Sequence, residues 1–176
     1  MRKIPNEELG RKSVEEFRQH PKLPVVIVLD NVRSMHNVGS VFRSADAFLC
    51  EAVYLCGITA QPPHRDIEKS ALGATQTVAW SYFQSTRDAM LLLKEQGYSI
   101  VPIEQVEGAV ALENFVPVKG KKYAIIFGHE IDGVDDKLFD LSDAFIEIPQ
   151  AGTKHSLNIS VAAGVVLWEF FRKLKQ

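Results

Sequence analysis

Short β-branched apolar runs recur along this chain, and stretches of helical spacing separate most of them. Val25-Val-Ile-Val-Leu29 is the clearest, and its lack of polar alternation marks a strand buried on both faces. Residues 52–56, 77–80, 98–103, 123–127 and 144–148 read as further strands. Between them Val38, Val41, Phe42, Ala45, Phe48 and Leu49 fall on one helical face. Residues 85–96 predict a helix capped by Ser85, stopped by Gly97, and carrying Ala89, Leu92 and Leu93 inward. Residues 156–174 predict a long closing helix. Residues 59–73 and 107–119 read as loop or irregular chain. Near the start, Ser13 is a candidate cap for a short helix holding Val14 and Phe17, and Pro21 and Pro24 bracket its end. Strand-helix alternation of this kind implies an α/β fold with a mostly parallel sheet flanked by helices. At 176 residues the chain buries a core without staples. It divides into an N-terminal helical extension, residues 1–23, and one domain, residues 24–176.

Composition narrows the class but not the partner. Hydrophobic residues are 46% and charged residues 24%, as in soluble globular proteins. No apolar run is long enough to span a membrane, and Met1-Arg-Lys-Ile-Pro carries no signal-peptide core, so a cytoplasmic protein is expected. Cys50 and Cys56 cannot by themselves assemble a structural zinc site, and their apolar surroundings predict reduced, inert thiols. The net charge of −2 argues weakly against nucleic acid. Its distribution counts for more: basic residues gather at Arg33 and Arg43, His64-Arg65, 119–122, Lys154-His155 and Arg172-Lys173-Lys175.

In a parallel sheet, ligands bind beyond the carboxyl ends of the strands. Three predicted strands run straight into Gly- and polar-rich segments: 30–43, 128–133 and 149–158. In the first, Asn37 and Gly39 open a helix, with Arg43 about one turn in on its polar face. Neither a dinucleotide glycine fingerprint nor a Walker motif is present. In the second, His129-Glu130 begins a zinc-protease pattern, but position 133 is Gly, so a metal ligand is missing. Glycines flanking Glu130 instead allow a sharp turn and close backbone approach. In the third, Ser156 reads as the cap of the closing helix, placing Asn158 in its first turn, where capping does not explain it.

Together the three segments resemble, in order and spacing, the motifs of the SpoU–TrmH branch of SPOUT RNA methyltransferases. Asn37, Gly39 and Arg43 are similar to the first motif; Phe127, Gly128, Glu130 and Gly133 to the second. Ile148, Pro149, Gly152, Ser156, Leu157, Asn158 and Ser160 are similar to the third, and the run from Lys69 to Ala74 resembles an intervening S-x-G-A element. The resemblance covers about residues 24–172; Gln150 departs from it, standing where many relatives carry Met.

The resemblance implies a Rossmann-like SPOUT fold with a C-terminal deep trefoil knot. It implies transfer of a methyl group from S-adenosylmethionine to a ribose 2′-hydroxyl of RNA, transfer RNA ahead of ribosomal RNA, with no metal. The cofactor would lie against Ile103, Glu104, Phe127, Gly128, His129, Ile148, Pro149, Gln150, Ser156 and Leu157. Arg43 would be the catalytic group, with Glu130, Asn158 and Asn37 shaping the site and Ser156 touching cofactor or substrate. Arg33, His36, Arg43, Lys154, His155 and Arg172 would contact RNA phosphates. Because a guanidinium stays protonated at neutral pH, such a group either stabilises a developing alkoxide or needs the RNA phosphate to favour proton loss. Relatives pair as homodimers through their first and last helices, with Arg43 serving the partner's cofactor. Val161, Val165, Leu167, Trp168, Phe170 and Phe171 fit that pattern, being more apolar than one buried face requires. The competing reading is a non-catalytic RNA-binding or assembly module of the same fold. The base-methylating TrmD-like branch lacks the Arg43, Glu130 and Asn158 trio.

Overall fold

The computed structural model describes residues 1–175. Five strands form the main sheet: β1 (Leu23–Asp30), β2 (Cys50–Cys56), β3 (Ala79–Phe83), β4 (Tyr98–Pro102) and β6 (Lys122–Phe127). Their order is β3-β2-β1-β6-β4, and every neighbouring pair is parallel. Two short strands, β5 (Val110–Ala111) and β7 (Ile146–Glu147), make a second parallel pair. The helices are α1 (Val14–Gln19), α2 (Met35–Ala47), α3 (Arg65–Ala71), α4 (Ala74–Thr77), α5 (Thr86–Glu95) and α6 (Ile159–Leu174).

Strand alternation splits the core into two layers. Val25, Ile27 and Leu29 of β1 face one side, where Val41 and Phe42 of α2 and Val166 and Phe170 of α6 pack. Val26 and Val28 face the other, against Met90 and Leu93 of α5. That two-sided burial is why the central strand reads as an unbroken apolar run.

The chain winds from β1 outward to β3, and α5 then carries it to β4 at the opposite edge. Strand β6 inserts between β4 and β1, so winding direction reverses beside β1. The carboxyl ends of β1, β6 and β4 meet there, which is where open parallel sheets bind ligands.

Several expected boundaries move. Residues 59–73 are not all loop: they contain α3, and α4 follows and includes Thr77, which delays the third strand to Ala79. Helices of one or two turns are too short to show a period in sequence. Residues 107–119 contain β5, and β7 is two residues rather than five. In α5, Met90 is buried while Leu92 is only half-buried, and Ser85 precedes the helix without a side-chain cap bond. The Ser13 cap holds, as a reciprocal capping box with Glu16, and buries Phe17. Gly39 lets α3 approach α2 closely: a Cβ there would lie 2.2 Å from the Ile67 carbonyl oxygen. Both cysteines are free and buried, and burial pushes the Cys56 thiol up to about 12.

Candidate functional site

A cleft of about 440 Å³ opens where β4, β6 and β7 end and α6 begins. Such a volume suits a small-molecule ligand. Ile103, Glu104, Phe127, Gly128, His129, Ile148, Gln150, Ser156 and Leu157, all expected cofactor contacts, line it. Pro149 does not line it. Gln105, Ile131 and Ala162 do, and sequence reasoning missed all three. For Gln105 the available signal was its position just past a strand end.

The turn after β6 is closed by paired backbone bonds: the His129 N–H donates to the Gly133 carbonyl at 2.9 Å, and the Gly133 N–H returns at 3.0 Å. A Cβ on Gly128 would sit 2.1 Å from the Gly133 carbonyl carbon. Gly133 has φ +72°, and a Cβ there would meet a Glu104 carboxylate oxygen at 2.2 Å. Glycine is therefore required at both positions. What the tight turn presents is Glu130.

The Glu130 carboxylate reaches across the sheet. It accepts the backbone N–H groups of Arg33 at 3.0 Å and Ser34 at 2.9 Å, and the side-chain amide of Asn37 at 3.2 Å. Asn37 Oδ1 in turn accepts from Asn158 Nδ2 at 3.1 Å. Asn158 Oδ1 then accepts from the Ser160 N–H at 2.9 Å and the Ser160 hydroxyl at 2.7 Å. One hydrogen-bonded chain thus joins the three segments singled out in the sequence.

Two helix starts differ from expectation. Ser34, not Asn37, caps α2, accepting the Asn37 N–H at 3.3 Å. Asn37 and Gly39 lie inside the helix, and Arg43 stands about two turns in rather than one. At α6 the cap is Asn158, not Ser156, which is exposed in the preceding loop. Capping therefore does explain Asn158: one amide oxygen satisfies the helix start while its NH2 group binds Asn37.

Burial raises the pKa of Glu130, but the N–H groups of Arg33 and Ser34 and the Asn37 amide outweigh it and hold the carboxyl below the ordinary value of 4.5. A group whose folded pKa is lowered adds stability above its unfolded pKa and loses it as pH falls through the folded value. Below about pH 4.5, wild-type protein should therefore lose melting temperature more steeply than Glu130→Gln. Parallel acid limbs in a thermal-melt series would remove this role.

The charge of the cleft has one sign. Glu104, Glu130, Asp132 and Glu147 line it, with His129 and His155 but no Lys or Arg. Such a lining favours a cationic ligand and disfavours a cofactor carrying phosphates. Among the described residues, no group of three His, Cys, Asp or Glu side chains converges as a metal site, and no helix is long and apolar enough to cross a membrane.

Arg43 is not in this cleft. It is exposed on α2, in a shallow groove with Ser40, Ser44, Phe48, Ser70 and Gly164. Arg33 and His36 are exposed around the start of α2, with the His36 carbonyl accepting the Ser70 hydroxyl at 3.0 Å. Lys154 and His155 are exposed on the loop before α6, and His155 also lines the cleft. Arg172 lies about 20 Å further along α6, where it pairs with Glu169 at 2.6 Å. The structure does not bring it to the others.

Residues 24–168 match the SpoU rRNA Methylase family, and the chain belongs to that family. It is 31% identical over 169 residues to the 23S rRNA (guanosine-2′-O-)-methyltransferase RlmB of Vibrio vulnificus, an alignment covering 96% of this chain and 67% of that one. It is 29% identical over 167 residues to the tRNA (guanosine(18)-2′-O)-methyltransferase of Thermus thermophilus, covering 94% and 84%. An AdoMet-bound rRNA methyltransferase from Sinorhizobium meliloti superposes with a TM-score of 0.79 at 26% identity, over 89% of this chain and 62% of that one. The A. aeolicus TrmH/SpoU tRNA modifying enzyme shares the fold with a TM-score of 0.81 at 24% identity, covering 92% and 81%. The chain spans roughly two thirds of the Vibrio and Sinorhizobium proteins.

Proposed function

We propose that this protein is an S-adenosylmethionine-dependent methyltransferase acting on a ribose 2′-hydroxyl of RNA. The observation that carries the reading is the hydrogen-bonded chain Glu130–Asn37–Asn158, which locks three loops together beside a cleft lined by carboxylates. The acidic lining fits a sulfonium, and the apolar walls from Ile103, Ile148 and Leu157 fit an adenosine ring. When bound, the cofactor supplies a methyl group already activated for transfer.

The protein's share of the work is then alignment and charge. Ile103, Glu104, Phe127, Gly128, His129, Ile148 and Gln150 would hold the cofactor, and the Glu130 network fixes the loops that orient it. Transfer to the ribose 2′-oxygen would release the hydroxyl proton to solvent water, with the cofactor's thioether as the leaving group. Arg43 stabilises the oxygen as it loses that proton. Arg33, His36, Lys154 and His155 offer charge to the RNA backbone.

Arg43 meets a cleft through a second copy of the chain. Val161, Val165 and Trp168 of α6 are 52%, 41% and 52% exposed, and Gly164 between them lines the Arg43 groove. Apolar exposure on this scale supports a homodimer built on α2 and α6, with Arg43 over the partner's cleft. We further propose a trefoil knot in the late chain, supported by the β5–β7 pair and the Ile103–Ile146 bridge, which hold that chain beside the end of β4 before it returns as α6. Transfer RNA is the first candidate substrate and ribosomal RNA the second, relatives named for each being similar to this chain.

The test is tritiated methyl transfer from S-adenosylmethionine to transfer and ribosomal RNA purified from a strain lacking the protein. Label in one pool, resistant to alkaline cleavage next to the mark, establishes ribose methylation and names the substrate. Cofactor binding with neither pool labelled would instead favour an RNA-binding module that has lost the chemistry.

A further inference from the structure

Residues 149–157 form a loop exposed along its whole length, yet Gln150, His155, Ser156 and Leu157 line the cleft from it. Among the described residues, one hydrogen bond ties this loop to the rest of the protein: Gln105 Nε2 donates to the His155 carbonyl at 3.0 Å. Its far end is pinned where Asn158 binds Asn37. Gln105 is exposed, and its backbone is anchored through Glu104. Its N–H donates to Glu104 Oε1 at 3.0 Å, while Glu104 Oε2 accepts the Val134 N–H at 2.9 Å. Two adjacent residues after β4 therefore reach both other cleft loops, Glu104 the turn after β6 and Gln105 the segment before α6.

We propose that Gln105 is a positioning residue whose amide latches residues 149–157 as a lid over the cleft and slows release of the bound adenosyl ligand. The ligand's identity rests on the proposed function; the latch itself rests on the hydrogen bond. A loop with so few anchors opens locally without global unfolding. One neutral hydrogen bond biases that opening by roughly two- to tenfold.

Lys154 makes the opening measurable, because it places a trypsin site within the lid. Gln105→Met keeps the side chain's length and removes its donor; Gln105→Glu keeps its shape and, ionised, accepts only. Full-length wild-type and variant proteins would be compared for cleavage after Lys154 and for the dissociation rate of S-adenosylhomocysteine. The latch predicts both rates about two- to tenfold faster in both variants, with cleavage after Lys94 unchanged. Equal cleavage rates after Lys154 overturn it. Faster cleavage with unchanged ligand release also overturns it, leaving a tether that controls nothing. Wild-type protein that fails to bind S-adenosylhomocysteine overturns the proposed function; the ligand-free cleavage ratio still decides the latch, and a ratio near one overturns that too.

Discussion

Arg43→Ala lowers turnover by about 10²–10⁴-fold and leaves S-adenosylmethionine affinity within a few-fold of wild type. The magnitude is that of removing a group that acts on charge developing in the transition state. The split between turnover and affinity follows from position: Arg43 is exposed on α2 and contributes nothing to the cleft of its own chain. Steady-state kinetics with RNA, beside calorimetric titration of the cofactor, separates the two. Near-normal turnover would strip Arg43 of its role. A large loss of cofactor affinity would mean that Arg43 helps hold the cofactor in the partner's cleft as well as acting on the ribose. Mixing Arg43→Ala with a Gln150→Arg cleft variant, inactive through blocked binding, extends the test. Rescue above either parent requires each Arg43 to serve the other subunit's cleft.

Gly128→Ala destabilises the protein by about 3–5 kcal/mol, at the upper end for single substitutions. For a chain of this size, roughly 2–4 °C of melting temperature accompanies each kcal/mol, so a fall of about 10 °C is expected. The cause is backbone meeting backbone: a methyl group at 128 would lie 2.1 Å from the Gly133 carbonyl carbon and 2.2 Å from the Val134 nitrogen. No flexible side chain can yield there. The turn must open, and with it goes the aim of Glu130 at Arg33, Ser34 and Asn37. Gly152→Ala is the control, since a Cβ there meets nothing within 4 Å, and its melting temperature should stay within about 2 °C. Calorimetry on both variants is sufficient. A Gly128→Ala protein that melts like wild type would show that the turn tolerates opening and that another constraint orients Glu130.

Much of the site was legible before the fold. The segments after β1 and β6 and before α6 were singled out because each follows a buried apolar run, and the Glu130 network joins all three. Helix starts were less legible. Ser156 and Asn158 both have cap chemistry two residues apart, and local sequence gives no reason to choose between them. The choice falls to Asn158 because its free amide has a partner, Asn37, brought from 121 residues away. The same holds for Ser34, whose own N–H is accepted by Glu130 from 96 residues downstream, beside that of Arg33.

Sequence by itself determined the parallel α/β class, the doubly buried central strand, the glycines the turn after β6 requires and the family. Those properties follow from period, from the absence of a side chain, and from residue types at fixed spacing, all of which are local. Only the tertiary structure decided that Asn158 caps α6, that Glu104 and Gln105 reach two different loops, and that Arg43 stands away from the cleft of its own chain. Each of these depends on which strand ends the winding brings together. Where β6 inserts between β1 and β4, residues about a hundred positions apart become hydrogen-bond partners, and no local pattern encodes that meeting.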